Sequence, residues 1–342
     1  MAYEYANQLA SRGHLVSVIH PRFMRNIDTS RSPLRKFQTA AINARNVLAP
    51  RSGLQWQPLE KSVRILHVSE PTAQNVPDAD VIVATAWQTA EYVVEYPKQK
   101  GRKFYIVMDF DPWIASKDVL EKTWNWPLRK ITISSWLYDK VRAAGCPATE
   151  VTNIPIGINF DQFQLLCDIS NRPKRILMLY STSKSKGSDD GLKALQKCKE
   201  RHPDLDVVLF GPTTRFRPSG LPEWAVYKGN ISQRQLTQLF NESRIFVCSS
   251  IAEGFALPPA EAMACGCAVV STDCGGNREY ADQGVNALLS PAGDVEALAD
   301  NIDLLLENDD LRMRLAESGH QTIKRFNWDR STDLFEEFLT VH

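Results

Sequence analysis

Two carboxylates, Glu253 and Glu261, stand on either side of a Gly-Phe-Ala-Leu-Pro-Pro turn in the stretch "SSIAEGFALPPAEAMACGCAVVSTDCGG", Ser249 to Gly276. The preceding run, "RIFVCSS", has the apolar continuity of a buried strand. "PPAEAMACG" begins a helix, because proline is tolerated in a first helical turn and Gly266 can end it. A strand-to-helix turn that opens at Gly254 aims the free N–H groups of Phe255, Ala256 and Leu257 outward, beside the positive end of the helix dipole, which makes an anion site. Pro258 and Pro259 donate nothing. Glu253 lies at the carboxyl end of its strand, where open α/β sheets place ligands. A carboxylate there accepts charge-assisted hydrogen bonds from sugar or ribose hydroxyls. A diphosphate on the N–H groups, a ribose on one acid and sugar hydroxyls on the other together describe a nucleotide sugar. On residue types alone a plainer use stays open, with Glu261 serving the helix dipole and Glu253 solvated.

The elements that must position these groups alternate along the whole chain. Short β-rich runs, "LVSVIH", "VRILHV", "DVIVAT", "KFYIVMD" and "KITISS", then "KRILMLY", "DVVLFG", "RIFVCSS" and "CAVVST", are separated by helical segments. This alternation argues for parallel sheets with helices on both faces, in two doubly wound, Rossmann-like domains. The join falls near "VTNIPIGINFDQF", where Pro, Gly and Asn interrupt the pattern, so residues 1–156 form the N-terminal domain and 157–326 the C-terminal one. Beyond Gly293 the spacing is helical with Asp294 as a cap, and residues 327–342 form a last amphipathic helix packing back toward the N-domain. The chain opens inside a helix, "YEYANQLASRGH", without the central first strand and Gly-rich loop that a doubly wound sheet normally has. The fold rule favours a chain shortened at its N-terminus over a domain that begins with a helix.

A chain of 342 residues with 40 Lys+Arg against 40 Asp+Glu has no global basic field to recruit nucleic acid or anionic lipid. Its apolar runs are far shorter than the ~20 residues that cross a bilayer, and no secretory signal is visible at its start. The expectation is a cytoplasmic protein, at most in weak peripheral contact with the inner face of a membrane. Seven scattered cysteines, odd in number and without C-x-x-C pairs, read as buried thiols, and no metal site is expected.

The run from Glu253 to Glu261 resembles the Glu-x7-Glu signature of retaining glycosyltransferases of the GT-B fold, specifically glycosyltransferase family 4 (glycosyl transferases group 1). The likeness extends over "KRILMLYSTSKSKG", "DVVLFG", "YKGNISQRQLTQLFNESRIFVCSS", "CGGNREYADQGVNALLSPAGDVEALADNI" and "FNWDRS", most of residues 174–330. "EYANQLASRGHLVSVI" is similar to the family's first helix and second strand, before which the family has a Gly-Gly loop. By resemblance, Glu261 would bind the donor ribose and Glu253 the hydroxyls of the transferred sugar, while the backbone of Phe255, Ala256 and Leu257 meets diphosphate and sugar. Ala256 stands where the family usually has Gly, which narrows the expected pocket. Lys186 in "SKSKG" matches the lysine that neutralises the leaving diphosphate. The family's usual arginine falls here at Tyr180 and Ser181, and Lys184 could supply that charge from a neighbouring position.

"YKGNIS" resembles the loop that holds the nucleotide base, which makes Gly229, Asn230 and Ile231 donor-site candidates. "CGGNREY" adds Gly275, Gly276 and Glu279, or a turn and cap. Where many members carry an acceptor-side histidine, "YIVMDFDPW" has Asp109 and Asp111, either of which could orient or deprotonate an acceptor hydroxyl, or Asp109 could serve as a structural cap. "MDFDPW" and "PLRKITISSWL" resemble a rhamnosyltransferase-like subset of the family. Trp113, Trp124 and Trp126 could form a sugar platform or pack in the core. The expectation is a hexosyl- or deoxyhexosyltransferase with two domains facing a cleft, working without cofactor or metal. It would move a sugar from a nucleotide-sugar donor to a carbohydrate or lipid-linked acceptor in surface polysaccharide or glycoconjugate synthesis. The alternatives are a shortened, inactive donor-binding module and a nucleotide-sugar epimerase, against which the two-glutamate signature argues.

Overall fold

The computed structural model describes residues 1–25, 58–108, 110, 116–212 and 217–340. The chain divides into two compact units, the first made of Met1–Ile133, Leu137–Ile156 and Trp328–His342, the second of Gly157–Asn327 with Ser134–Trp136.

Unit 2 holds β7 (Arg175–Leu179), β8 (Asp206–Phe210), β9 (Ala225–Tyr227), β10 (Ile245–Cys248), β11 (Ala268–Thr272) and β12 (Leu288–Ser290). They form one sheet in the order β12-β11-β10-β7-β8-β9, and all its ladders are parallel. The first strand of the unit is therefore central and the chain reverses direction across the sheet at β7 and β10, where Ile245 pairs with Ile176 and Val247 with Met178. Doubly wound sheets bind ligands at the carboxyl ends of such a pair. β10 and β11 are buried at every residue, as expected of parallel strands covered on both faces.

Five helices of unit 2 matter here: α5 (Ser188–Arg201), α6 (Gln233–Asn241), α7 (Leu257–Ala264), α8 (Val295–Glu307) and α9 (Asp309–Ile323). Their sequence reasons are local. Ser232 caps α6 in a capping box with Gln235, and Asp294 caps α8. The helical stretch past Gly293 breaks in two at Asn308, whose side chain accepts from Leu311 N and caps α9. Arg172, 3% exposed, closes the opposite ends. Its Nη1 donates to Phe240 O and Ser243 O, both at 3.1 Å, and its Nη2 to Cys265 O at 2.6 Å. One buried cation thus serves carbonyls at the C-termini of α6 and α7, where the helix dipole favours positive charge.

Unit 1 begins with α1 (Ala2–Ser11) and continues through β1 (Ser17–Pro21), β2 (Arg64–Val68), β3 (Val81–Ala84), α2 (Trp87–Val93), β4 (Arg102–Val107), α3 (Lys117–Trp124), β5 (Arg129–Thr132), α4 (Ser135–Ala143) and β6 (Val151–Asn153). Its strands lie in two parallel sheets, β1-β2 and β3-β4-β5-β6, with no ladder joining them among the described residues. The last helix, α10 (Trp328–Thr340), packs on α1: Tyr5 stacks on Phe335 at 4.1 Å and meets Trp328 edge-on at 5.1 Å. Arg12 pairs with Asp333 and Glu336, each at 2.7 Å. Six of the seven cysteines are buried free thiols; Cys167 is exposed, a correction to the expectation of seven buried ones. It lies between the two units' main sheets in sequence, in a segment without helix or strand. Among the described residues no helix is long and apolar enough to cross a membrane.

Candidate active site at the switch point of unit 2

Lys186 follows β7 and Glu253 follows β10, so the two neighbouring central strands deliver them to one place. Lys186 Nζ donates to Glu253 Oε1 at 2.6 Å, with side chains 29% and 16% exposed. Ser250 Oγ donates to the same Oε1 at 2.7 Å. Oε2 makes no hydrogen bond among the described residues. Lys186, Glu253 and Ala256 line one pocket with Ser249, Ser250 and Pro258.

The two loops are tied by backbone. Ile251 N donates to Ser185 O at 2.7 Å and Ser249 Oγ to Lys186 O at 3.2 Å. Lys184–Lys186 is a single 3-10 turn closed by Gly187 in the left-handed region. A Cβ on Gly187 would lie 2.0 Å from Ser249 O, so the approach of the loops requires glycine. A third loop closes on the same turn from β11: Glu253 N donates to Cys274 O at 2.9 Å and Gly276 N to Glu253 O at 3.0 Å. A Cβ on Gly276 would come within 2.4 Å of Gly254 and Phe255 backbone. Asn277, fully buried, holds that loop by accepting from Cys274 N and donating to Ser271 Oγ and Thr272 O.

The turn between β10 and α7 leaves its backbone donors free. The N–H groups of Phe255, Ala256 and Leu257 donate no hydrogen bond among the described residues, and α7 starts at Leu257 with Ala256 as its cap. Ala256, at φ +62°, is the one described non-glycine residue with positive φ. An L-residue in that region costs about 1–2 kcal/mol, and the turn is held there from behind by Tyr280, whose Oη donates to Ala256 O at 2.5 Å. Burial pushes the Tyr280 phenol well above its ordinary range, so it stays a donor. Glu261, in the second turn of α7, makes no side-chain hydrogen bond among the described residues. Desolvation pushes its carboxyl up to about 7, which leaves an acid in want of hydrogen-bond donors.

Other candidates fall differently. Ser181 N donates to Ser188 Oγ, so this serine sits at the root of the Lys186 loop. Lys184 is exposed and makes no ion pair among the described residues. Tyr180 meets Tyr227 edge-on. Gly229, Asn230 and Ile231 follow β9 on the carboxyl edge of the same sheet; Gly229, at φ +70°, accepts from Gly211 N, and among the described residues no hydrogen bond or ion pair joins the three to Lys186 or Glu253. Gly275 is bridged to Glu253, and Glu279 ends the 3-10 turn Gly276–Glu279. Asp109, Asp111 and Trp113 lie outside the described residues. Trp124 is 1% exposed and belongs to the core of unit 1, while Trp126 is half-buried. Ser250, Asn277 and Tyr280 were not singled out by residue pattern, since a serine after a strand or a tyrosine after a turn carries no spacing signal.

Residues 168–322 match the family model described as glycosyl transferases group 1. Among curated relatives, the phosphatidyl-myo-inositol mannosyltransferase of Mycobacterium leprae (strain TN) is 29% identical over 199 residues, 55% of this chain and 52% of that protein. The chain spans from about a fifth to about half the length of the first curated relatives it matches. Among solved structures, sucrose-phosphate synthase from Thermosynechococcus elongatus aligns with a TM-score of 0.73 at 17% identity, covering 98% of this chain and 91% of that one. Anabaena HepE in complex with UDP-glucose aligns with a TM-score of 0.67 at 20% identity, covering 76% and 78%. These likenesses give the fold, the parallel α/β architecture of GT-B structures.

Proposed function

We propose that the chain is a retaining glycosyltransferase of family 4 that moves a hexosyl or deoxyhexosyl group from a nucleotide-diphosphate sugar to a hydroxyl of a carbohydrate or lipid-linked acceptor. The observation that carries the reading is the meeting of Lys186 and Glu253 at 2.6 Å beside a strand-to-helix turn whose three N–H groups have no partner among the described residues. The match of residues 168–322 to glycosyl transferases group 1 supports it, as does the UDP-glucose held by Anabaena HepE. The mannosyltransferase name of the M. leprae relative points to glycoconjugate synthesis.

In this reading the N–H groups of Phe255, Ala256 and Leu257, with Lys186, take the diphosphate and stabilise the charge that grows on it as the sugar leaves. Glu253 Oε2 accepts from hydroxyls of the transferred sugar and Glu261 from the ribose. Gly229, Asn230 and Ile231 face the base with their backbone. The bond from the anomeric carbon to the diphosphate oxygen breaks and the acceptor oxygen bonds to that carbon on the same face. The acceptor's proton passes to the departing phosphate oxygen, with Asp109 orienting the acceptor. No metal is called on, and the place of work is the cytoplasm, at most in weak contact with the inner face of a membrane.

Thermal-shift binding of UDP, GDP, dTDP and ADP sugars to the chain and to Glu261→Ala tests this. One donor stabilises the chain, by about 2.7 kcal/mol at a hundredfold excess over its Kd, and fails to stabilise the variant. A folded chain that none of the panel stabilises overturns the reading.

A further inference from the structure

Two buried thiols beside the turn have no part in the donor reading. Cys248 ends β10, where it pairs with Ser271 of β11, and Cys274 stands shortly past that partner, in the loop whose carbonyl at Cys274 accepts from Glu253 N. The Cys274 thiol donates to the Cys248 sulfur, Cys248 Sγ donates to Ser250 Oγ at 3.6 Å, and Ser250 Oγ donates to Glu253 Oε1 at 2.7 Å. One chain of hydrogen bonds therefore runs from the dithiol to the carboxylate that holds Lys186, and each link of such a chain polarises the next. Cys274 is 1% exposed, whereas Cys248 is 8% exposed and lines the pocket with Lys186 and Glu253. The bond from Cys274 outweighs burial and holds the Cys248 thiol below its usual range, which raises its share of thiolate, the nucleophilic form.

We propose that Cys248 and Cys274 are a peroxide-sensitive pair whose oxidation to a disulfide weakens diphosphate binding at the neighbouring turn, an inference that rests on the donor reading for its effect on binding. The Cys248 thiolate attacks one oxygen of hydrogen peroxide and the O–O bond breaks. The departing hydroxide takes up the proton that Cys248 gave up, leaving water and a sulfenic acid on Cys248. The Cys274 sulfur then bonds to Cys248 Sγ, the S–O bond breaks, and the hydroxide that leaves takes the Cys274 proton as a second water. Two electrons pass from the sulfurs to the peroxide. The disulfide differs from the dithiol in two ways that reach the site. An S–S bond of about 2.05 Å is shorter than any hydrogen-bonded sulfur contact, so Cys274 is drawn toward β10 and carries with it the carbonyl that Glu253 N holds at 2.9 Å. Neither sulfur keeps a proton, so Ser250 loses the donor behind it.

The whole chain is treated with hydrogen peroxide, its peptides are mapped by mass spectrometry, and calorimetric binding of inorganic pyrophosphate is measured before and after. The expected result is a Cys248-to-Cys274 cross-link, lighter than the dithiol by two hydrogens and reversed by dithiothreitol, with pyrophosphate affinity about tenfold lower in the oxidised chain. Cys248→Ala abolishes both the cross-link and the response of affinity to peroxide. Cys274→Ala stops Cys248 at the sulfenic acid, which dimedone traps, so the test survives if the first variant fails to fold. Oxidation of the exposed Cys167 with Cys248 and Cys274 left unlinked overturns the switch, as does a cross-linked chain whose pyrophosphate affinity is unchanged; both leave the donor reading standing. A reduced chain that binds neither pyrophosphate nor any nucleotide sugar of the panel overturns the donor reading and, with it, the effect on binding.

Discussion

Unit 2 organises six strands into one sheet in which β10 and β11 are sealed on both faces, whereas unit 1 divides its strands between a pair and a quartet. The difference is visible residue by residue. β10 and β11 are buried throughout, while β1 is half-buried at every position and β2 leaves Arg64, Ile65 and His67 exposed. Buried polar groups do not follow that division. In unit 2 the buried Arg172 finds three carbonyls, although its Nε has no partner among the described residues; in unit 1 Tyr5, 4% exposed, has no partner for its hydroxyl among the described residues. A site that must hold a cation, a carboxylate and three N–H groups in fixed relation needs the first kind of support, in which loops from three adjacent strands are bonded to one another.

Three measurements sharpen or break this contrast. The largest effect is expected at Arg172. Its replacement by Met leaves buried carbonyls at the ends of α6 and α7 without their donor, and about 2–4 kcal/mol of stability is lost. Hydrogen exchange then rises first in β10 and β11, and a loss spread evenly over both units contradicts the division. Next comes Glu261, whose folded value of about 7 stands above its ordinary 4.5. An acid with a raised value binds more protons folded than unfolded, so the fold gives up stability as pH rises from about 4.5 to about 7. Glu261→Gln removes that penalty: it melts higher than the unaltered chain at alkaline pH and equally at acid pH, and a pH-independent difference argues against a desolvated carboxyl. The smallest effect is in unit 1. Tyr5→Phe deletes an unsatisfied hydroxyl and keeps the ring stack on Phe335, so stability rises by about 1 kcal/mol; a fall of that size means that the hydroxyl has a partner after all.

Much of the architecture is legible in the sequence because parallel strands buried on both faces are written as apolar runs. "RILML", "DVVLF" and "IFVC" fall on β7, β8 and β10. The strands that escape are β6, β9 and β12, three residues each. "VTN", "AVY" and "LLS" are too short to show a period, and their strand character comes from the neighbour they pair with. The site divides in the same way. Glu253, the turn and the helix that follows are adjacent in sequence and can be read from it. That Lys186 meets Glu253 depends on the order of β7 and β10 in the sheet, which residue types do not encode and which only resemblance supplied. Ser250, Asn277 and Tyr280 act through hydrogen bonds that exist only once the loops are brought together, so residue types do not mark them.

The pairing of Ile176 with Ile245 has a further consequence. Everything between those residues, including α5, β8, β9 and α6, is a loop that must close before the cation and its carboxylate can meet, and closing long loops is slow and entropically costly. No fragment ending before β10 can contain the site, and no partly folded chain can imitate it. Occupancy of the site is therefore a reading of whether the middle of unit 2 has finished folding, so a ligand added to a refolding chain should engage only after the last long-range strand pairing is made.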